Sequence, residues 1–132
     1  MCGIVGLIDH SLTNDEIKKR IKSSLHSIRY RGPDESNFFS EKNYAFGAVR
    51  LSIENLKNGQ QPIYDSSSQL ILGFNGEIFN YKYFIKKYNL DNKFSEIQVL
   101  LFLYKKFGLK FLTLLEGQFA IFIFDIKKNE LI

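Results

Sequence analysis

The sequence contains few of the residues that form disulfides or bind structural metals. Its 132 residues include one cysteine, two histidines and no tryptophan. One cysteine cannot form an internal disulfide, and one cysteine with two scattered histidines lacks the ligand spacing of a zinc site. We therefore expect neither a disulfide nor a metal in this domain.

Long apolar segments are also missing. No apolar run approaches the roughly 18 residues of a membrane-spanning helix, and no basic segment followed by a long apolar one stands at the start. Apolar residues nevertheless make up 45% of the chain, which is enough for a hydrophobic core. The composition predicts a cytoplasmic protein without membrane contact, and the length predicts a single domain over residues 1–132.

The charge balance gives little indication of nucleic-acid binding. The chain has 18 basic and 14 acidic residues, a net charge of +4. The basic residues are mostly lysines in short clusters on predicted polar helix faces or turns, and no arginine stripe alternates with aromatic residues. A solvated surface is the favoured interpretation. A small basic nucleic-acid binder remains an alternative that rests on the net charge alone.

Two capping boxes predict the starts of two helices. Thr13 and Glu16 precede apolar residues at helical spacing, and Ser95 and Gln98 precede a second such pattern. Gly108 follows the second pattern, where a glycine is typical of a helix C-terminus.

The remaining apolar segments predict strands over residues 4–8, 37–40, 44–53, 70–74 and 119–126. The last of them has no polar residue until Asp125, so both of its faces are expected to be buried. The Asn75-Gly76 pair is typical of a hairpin turn, and a corner from strand to helix is the competing interpretation. Strands with helices between and after them indicate an α+β domain.

Cys2 would stand at the N-terminus once Met1 is removed. A thiol with an ordinary pKa of about 8.5 would then lie beside an α-amine with a pKa of about 8, which can act as its base. No histidine is needed for such a nucleophile. Lone cysteines are more often small buried hydrophobes, so position alone does not establish a catalytic role.

Six short motifs accompany this cysteine, all of them in one order along the chain. They are Cys2-Gly3-Ile4-Val5-Gly6, Arg31-Gly32-Pro33-Asp34, Arg50-Leu51-Ser52-Ile53, Gln61-Pro62-Ile63, Asn75-Gly76-Glu77-Ile78-Phe79-Asn80-Tyr81 and Gly117-Gln118-Phe119-Ala120. Together they resemble the class II glutamine amidotransferase domain of glutamine-dependent asparagine synthetases. The resemblance covers essentially the whole chain, and six motifs in order are far more specific than any one of them.

The resemblance implies a hydrolysis of glutamine through a covalent intermediate. Cys2 would attack the side-chain amide, form a γ-glutamyl thioester and release ammonia, with its own α-amine moving the proton. The Asn75 side chain and the Gly76 N–H would stabilise the oxyanion. No cofactor is expected for this step.

The resemblance also implies a binding site for the two charged groups of glutamine. Arg50 would bind the α-carboxylate, and Ile53 of the same motif would line the site. Glu77 would accept the α-ammonium together with Glu96. The family's Ser-Asp-x-Glu motif reads Ser-Glu-Ile-Gln at residues 95–98, so the ammonium contact is expected at an altered distance or weakened. Acidic and amide residues there also favour a helix N-terminus regardless of function.

The implied fold is the αββα sandwich of N-terminal-nucleophile hydrolases. The family's sequence continues beyond the strand that ends near residue 126 into further strands. The chain is therefore expected to be a truncated gene product, a fragment or a split subunit, with the sandwich incomplete at its C-terminus. An apolar sheet edge would then be exposed, and association, for example as a homodimer, is expected.

The acceptor of the ammonia stays open at this point. Nothing in the chain resembles an ATP-binding loop, so amidation of aspartate would need a synthetase domain that uses ATP and Mg²⁺ and lies elsewhere. Amination of another acceptor, such as a surface-polysaccharide sugar, is one alternative. A non-catalytic binding or regulatory module on the same fold is another.

Overall fold

The computed structural model describes residues 2–51 and 59–132. In this part of the chain a strand and a helix are followed by four strands, two helices and two final strands. The elements are β1 (Gly3–Ile8), α1 (Asn14–Ser27), β2 (Glu35–Glu41), β3 (Tyr44–Arg50), β4 (Ile63–Asp65), β5 (Leu70–Ile78), α2 (Tyr81–Lys87), α3 (Glu96–Phe107), β6 (Gly117–Asp125) and β7 (Glu130–Leu131), with 3₁₀ turns at Arg29–Arg31 and Gly108–Leu114. The predicted α+β class is confirmed. None of the described helices is long and apolar enough to cross a membrane.

The strands form two antiparallel sheets. The first has the order β1-β3-β2, and the second has the order β4-β5-β6-β7. In the first sheet Gly3 lies opposite Val49 and Glu35 lies opposite Arg50. In the second sheet β6 lies between β5 and β7.

Three hydrophobic clusters hold these elements together. One joins α1 to the first sheet, a second joins α2 and α3 to the second sheet, and a third contains aromatic residues from both sheets. In the third cluster the ring of Phe46 in β3 lies 5.0 Å from that of Phe122 and 4.9 Å from that of Phe124, both in β6. Such ring pairs contribute about 0.5–1.5 kcal/mol each beyond their buried area. The two sheets are thus held together by phenylalanine in a chain that has no tryptophan.

Both predicted capping boxes are present. The Thr13 side chain accepts the Glu16 N–H and the Glu16 carboxylate accepts the Thr13 N–H. At the start of α3, Oε1 of Gln98 accepts the Ser95 N–H at 2.9 Å and the Ser95 hydroxyl at 3.1 Å. The helix-capping interpretation of Gln98 is therefore confirmed.

The prediction that a strand ends at residue 74 is wrong. β5 continues through Asn75 and Gly76 to Ile78, because residues 75–78 pair with residues 117–120 of β6. This long-range pairing overrides the local turn tendency of Asn-Gly, so the hairpin interpretation is also wrong. A corner from strand to helix does follow, but it lies between Ile78 and the start of α2 at Tyr81.

The predicted burial of the last long strand is correct for only half of it. Residues 122–125 of β6 are buried, whereas residues 117–120 are exposed. The exposed half includes Phe119, whose side chain lies on the wall of an open cavity. The apolar character of this segment therefore reflects the lining of a cavity as well as a core.

An ion pair joins β4 to α3 and gives a pH-dependent contribution to stability. Lys105 Nζ donates to Asp65 Oδ2 at 2.6 Å, and the hydroxyls of Ser67 and Ser68 also donate to this carboxylate. The Lys105 bond, followed by the serine bonds, holds the pKa of Asp65 well below its usual range. A carboxyl with a lowered folded-state pKa stabilises the fold above its unfolded pKa, and this contribution is lost as the pH falls below it.

We expect Asp65→Asn to lower the free energy of unfolding at pH 7 by about 1 kcal/mol, a small value because the Lys105 side chain is 43% exposed and screened by solvent. The difference from wild type should persist down to about pH 5 and shrink below about pH 4, where the unfolded chain takes up protons. Urea unfolding at several pH values measures this difference. A difference that does not change with pH would contradict the electrostatic explanation.

Candidate functional site

Six of the seven predicted site residues line one cavity of about 680 Å³. They are Cys2, Arg50, Asn75, Gly76, Glu77 and Glu96. The seventh, Ile53, lies outside the described residues. The cavity therefore combines a thiol, a guanidinium, two carboxylates, and a strand edge with the side-chain amide of Asn75 and the backbone amide of Gly76. These groups come from separate parts of the sequence.

Cys2 lies directly before β1 and next to the end of β3. Gly3 is paired with Val49, so the same register continued by one residue brings Cys2 beside Arg50. Cys2 is partly buried, and Nε of Arg31 donates to its carbonyl oxygen at 3.1 Å. The arginine of the Arg-Gly-Pro-Asp motif thus holds the backbone of the cysteine from outside the cavity wall.

Arg50 is held by contacts on two sides. It is only 6% exposed, and its Nη1 donates to Oε1 of Glu35 at 3.1 Å across the β2–β3 pair. A Cβ on Gly59 would lie 2.5 Å from Nη2 and 2.8 Å from Cζ, so a side chain at residue 59 would displace the guanidinium from its present position. A buried cation needs an anionic partner, and Glu35 supplies one. The guanidinium is therefore fixed in a defined orientation at the cavity.

One edge of β5 presents backbone amides toward the cavity. N–H groups alternate in direction along a strand, so those of Phe74, Gly76 and Ile78 point to the same side. The Phe74 N–H donates to Oε1 of Gln61 at 2.7 Å, and the Ile78 N–H donates to Oε1 of Glu96 at 2.7 Å. The Gly76 N–H lies between these two fixed amides, on a residue that lines the cavity.

Gly76 is the residue of this edge that cannot be replaced without a steric clash. Its φ is +143°, in the region that L side chains rarely adopt. A Cβ at this position would overlap the carbonyl oxygen of Gln118 and would lie 2.6 Å from Cα of Phe119. Close approach of two backbones, rather than a turn, explains the glycine of the Asn-Gly pair.

The two carboxylates of the cavity differ in their surroundings. Glu77 is exposed, whereas Glu96 is partly buried at the start of α3, with one oxygen held by the Ile78 N–H. Gln98 does not lie on the cavity wall. The change from Glu to Gln at that position therefore concerns the helix cap and not the lining of the cavity.

Gln61 has no predicted role, although its motif is part of the resemblance. It is 5% exposed and lines the cavity, and its hydrogen bond to Phe74 joins residues 13 positions apart. Contacts at that separation leave no periodic signal in the sequence. Among the described residues, no group of three or more His, Cys, Asp or Glu is arranged to hold a metal ion.

Comparison with known proteins gives a family match over the whole chain. The model of the glutamine amidotransferase domain family matches residues 1–132. Asparagine synthetase B (glutamine-hydrolyzing) of Escherichia coli strain K12 is 33% identical over 132 residues, which are 98% of this chain and 24% of that protein. Asparagine synthetase (glutamine-hydrolyzing) 2 of Bacillus subtilis strain 168 is 34% identical over 136 residues, 98% of this chain and 18% of that protein.

A relative with a different name is similar to the same extent. Amidase chry2 of Gibberella zeae is 33% identical over 147 residues, 100% of this chain and 22% of that protein. The chain thus spans about a quarter or less of the length of these relatives. With a family match over all 132 residues and a cavity that unites its motifs, the chain belongs to the family of glutamine amidotransferase domains.

Proposed function

We propose that this domain hydrolyses L-glutamine to L-glutamate and ammonia, with Cys2 as the nucleophile. The observation that carries the proposal is the single cavity in which the only cysteine of the chain lies with Arg50 and the Gly76 edge of β5. A cavity of about 680 Å³ is ample for a substrate of this size. The family match supports the same reaction class.

Glutamine carries three groups that the cavity can bind. Its α-carboxylate would accept hydrogen bonds from the guanidinium of Arg50, which Glu35 and Gly59 hold in place. Its α-ammonium would donate to the carboxylates of Glu77 and Glu96, which line the same cavity. The side-chain amide would then extend toward Cys2 and the Gly76 N–H.

The covalent chemistry requires removal of Met1, because the α-amine of Cys2 then serves as the base. The amine takes the thiol proton and the sulfur attacks the amide carbon, so a C–S bond forms and negative charge develops on the oxygen. The Asn75 amide and the Gly76 N–H donate to that oxygen. Collapse of the intermediate expels ammonia, which carries the proton from the amine. Water then hydrolyses the thioester to glutamate and restores the thiol.

The packing clusters support the fold of N-terminal-nucleophile hydrolases for this chain. α1 covers the first sheet, aromatic residues join the two sheets, and α2 with α3 covers the second sheet. We infer an αββα sandwich in which the cavity lies at the ends of β1, β3 and β5. The domain itself needs no cofactor for hydrolysis, because each step is carried by a side chain, a backbone amide or water.

We further propose that the ammonia is delivered to a synthetase domain that uses ATP and Mg²⁺ to convert aspartate to asparagine. The names of the bacterial relatives support this acceptor. Similar identity to a protein named amidase gives specific support to a second candidate, amidation of a different acceptor. Co-purification of this domain with its synthetase partner, followed by an assay of the complex for asparagine formation, would distinguish the two acceptors.

Ammonia release from L-glutamine tests the proposed function, and Arg50→Lys tests the binding mode. Wild type with a processed N-terminus should form ammonia and L-glutamate in equal amounts. Lysine cannot make the planar two-bond contact of arginine, so Arg50→Lys should raise KM for glutamine by roughly tenfold or more, with a smaller effect on kcat.

Arg20→Lys provides the control, because Arg20 is exposed on α1 and does not line the cavity. Its kinetic constants should match those of wild type. A wild type that forms no ammonia would contradict the proposed function. An unchanged KM in Arg50→Lys would contradict the assigned carboxylate contact.

A further inference from the structure

The Gln61 side chain ends the backbone pairing on the cavity edge of β5. Ile63 of β4 lies opposite Leu72 of β5, and the same register would put Gln61 opposite Phe74. β4 begins only at Ile63, and the side-chain Oε1 of Gln61 accepts the Phe74 N–H at 2.7 Å in place of a backbone carbonyl. A side chain thus satisfies the last amide of this edge before the cavity.

Residues 59 and 60, directly before Gln61, lie outside the β4–β5 pairing. Gly59 instead packs against the guanidinium of Arg50. Regular pairing of β4 continued by four residues, from Ile63 back to Gly59, would instead bring a second backbone alongside Gly76 and cover its N–H. The side chain of Gln61 instead fixes the N–H of Phe74, which is the next amide along this edge. The Gly76 amide then remains directed at the cavity.

We propose that Gln61 is a positioning residue for the oxyanion site, acting through Phe74 on the direction of the Gly76 N–H; this inference rests on the proposed function. An oxyanion donor accelerates the reaction only when it is aimed at the oxygen as charge develops. Gln61 fixes the peptide on one side of Gly76, and Glu96 fixes the amide of Ile78 on the other.

Gln61→Met tests the proposal, because methionine has a similar length and offers no oxygen to the Phe74 N–H. We expect kcat for ammonia release to fall by roughly 10- to 100-fold while KM for glutamine stays within about threefold, since the donor acts in the transition state. Gln60→Met is the matched control. Gln60 is exposed and does not line the cavity, so its kinetic constants should stay within about twofold of wild type.

A second measurement uses the nitrile analogue of glutamine, 2-amino-4-cyanobutanoate. The Cys2 sulfur adds to the nitrile carbon, a C–S bond forms, and the thiol proton moves to the nitrogen, which gives a thioimidate without any further reactant. That nitrogen would occupy the oxyanion site. Gln61→Met should weaken nitrile inhibition by the same factor as kcat. A merely structural effect would lower the amount of active enzyme and leave the inhibition constant unchanged.

Amide hydrogen exchange on wild type covers the case in which Gln61→Met does not fold. Saturation with the nitrile should slow exchange at both Gly76 and Phe74, because the two amides belong to one ordered edge. Slower exchange at Gly76 with no change at Phe74 would overturn the proposal. Unchanged kcat and nitrile affinity in Gln61→Met would do the same while leaving the proposed function intact, whereas an inactive wild type would contradict both.

Discussion

Replacing Cys2 with alanine is expected to reduce the rate of ammonia release from L-glutamine by a factor of about 10⁴ or more. The substitution removes the proposed nucleophile, and the chain has no second cysteine to replace it. The rest of the cavity would still hold glutamine, but water would have to attack the amide directly. Ammonia release measured at saturating glutamine checks this prediction.

Binding and stability serve as the controls for that variant. Because Cys2 is only partly buried and Arg31 contacts its backbone oxygen, the alanine variant should fold normally. Glutamine should bind it with a Kd within about threefold of the wild-type value, since Arg50 and the carboxylates are unchanged. Residual activity within tenfold of wild type would show that another group is the nucleophile.

Gly76→Ala is expected to have the second largest effect, on both stability and activity. The new Cβ would meet the backbone of Gln118 and Phe119 at a φ of +143°. The backbone of Gln118 and Phe119 cannot move away without breaking the β5–β6 pairing. We therefore expect a loss of about 3 kcal/mol or more in the free energy of unfolding. In the fraction that remains folded, kcat should fall by roughly 10²–10³, because the N–H would be displaced from the oxyanion.

Gly108→Ala is the matched control for this prediction. Gly108 also has a positive φ, +57°, but an added Cβ would meet no atom within 4 Å. Backbone strain alone should cost about 1–3 kcal/mol, because residues with a Cβ rarely combine this φ with the ψ of −148° found at Gly108, and kcat should not change. Urea unfolding and ammonia release should be measured on both variants. If Gly76→Ala were no more destabilised than Gly108→Ala, the close approach of β5 and β6 would not constrain residue 76.

The parts of the fold that depend on neighbouring residues could be predicted from the sequence. The capping boxes of Thr13 and Ser95 each join residues three positions apart, so their pattern is visible in the chain. The end of β5 could not be predicted, because Gly76 stays in the strand through pairing with Phe119, far along the sequence. This long-range pairing outweighs the local tendency of Asn-Gly to form a turn.

The same distinction applies to the cavity. Motif resemblance identified residues such as Cys2, Arg50 and Gly76, which the fold brings to one cavity. The partners that hold them could not be found this way. Glu35 and Gln61 act through contacts across a strand pair and across a strand edge. Gln61 belongs to one of the six motifs, but the motif does not indicate its contact with Phe74, and nothing in the local sequence distinguishes Glu35 from an ordinary polar residue.

The proposed use of a main-chain N–H at the β5 edge determines how this site can vary genetically. Apart from proline, no amino acid removes a backbone amide, so mutation can misdirect this donor but rarely delete it. Glycine codons nevertheless begin with GG, and every missense change from them introduces a residue with a Cβ. At Gly76 each of these would meet the backbone of β6. We therefore expect no other residue to be tolerated at this position.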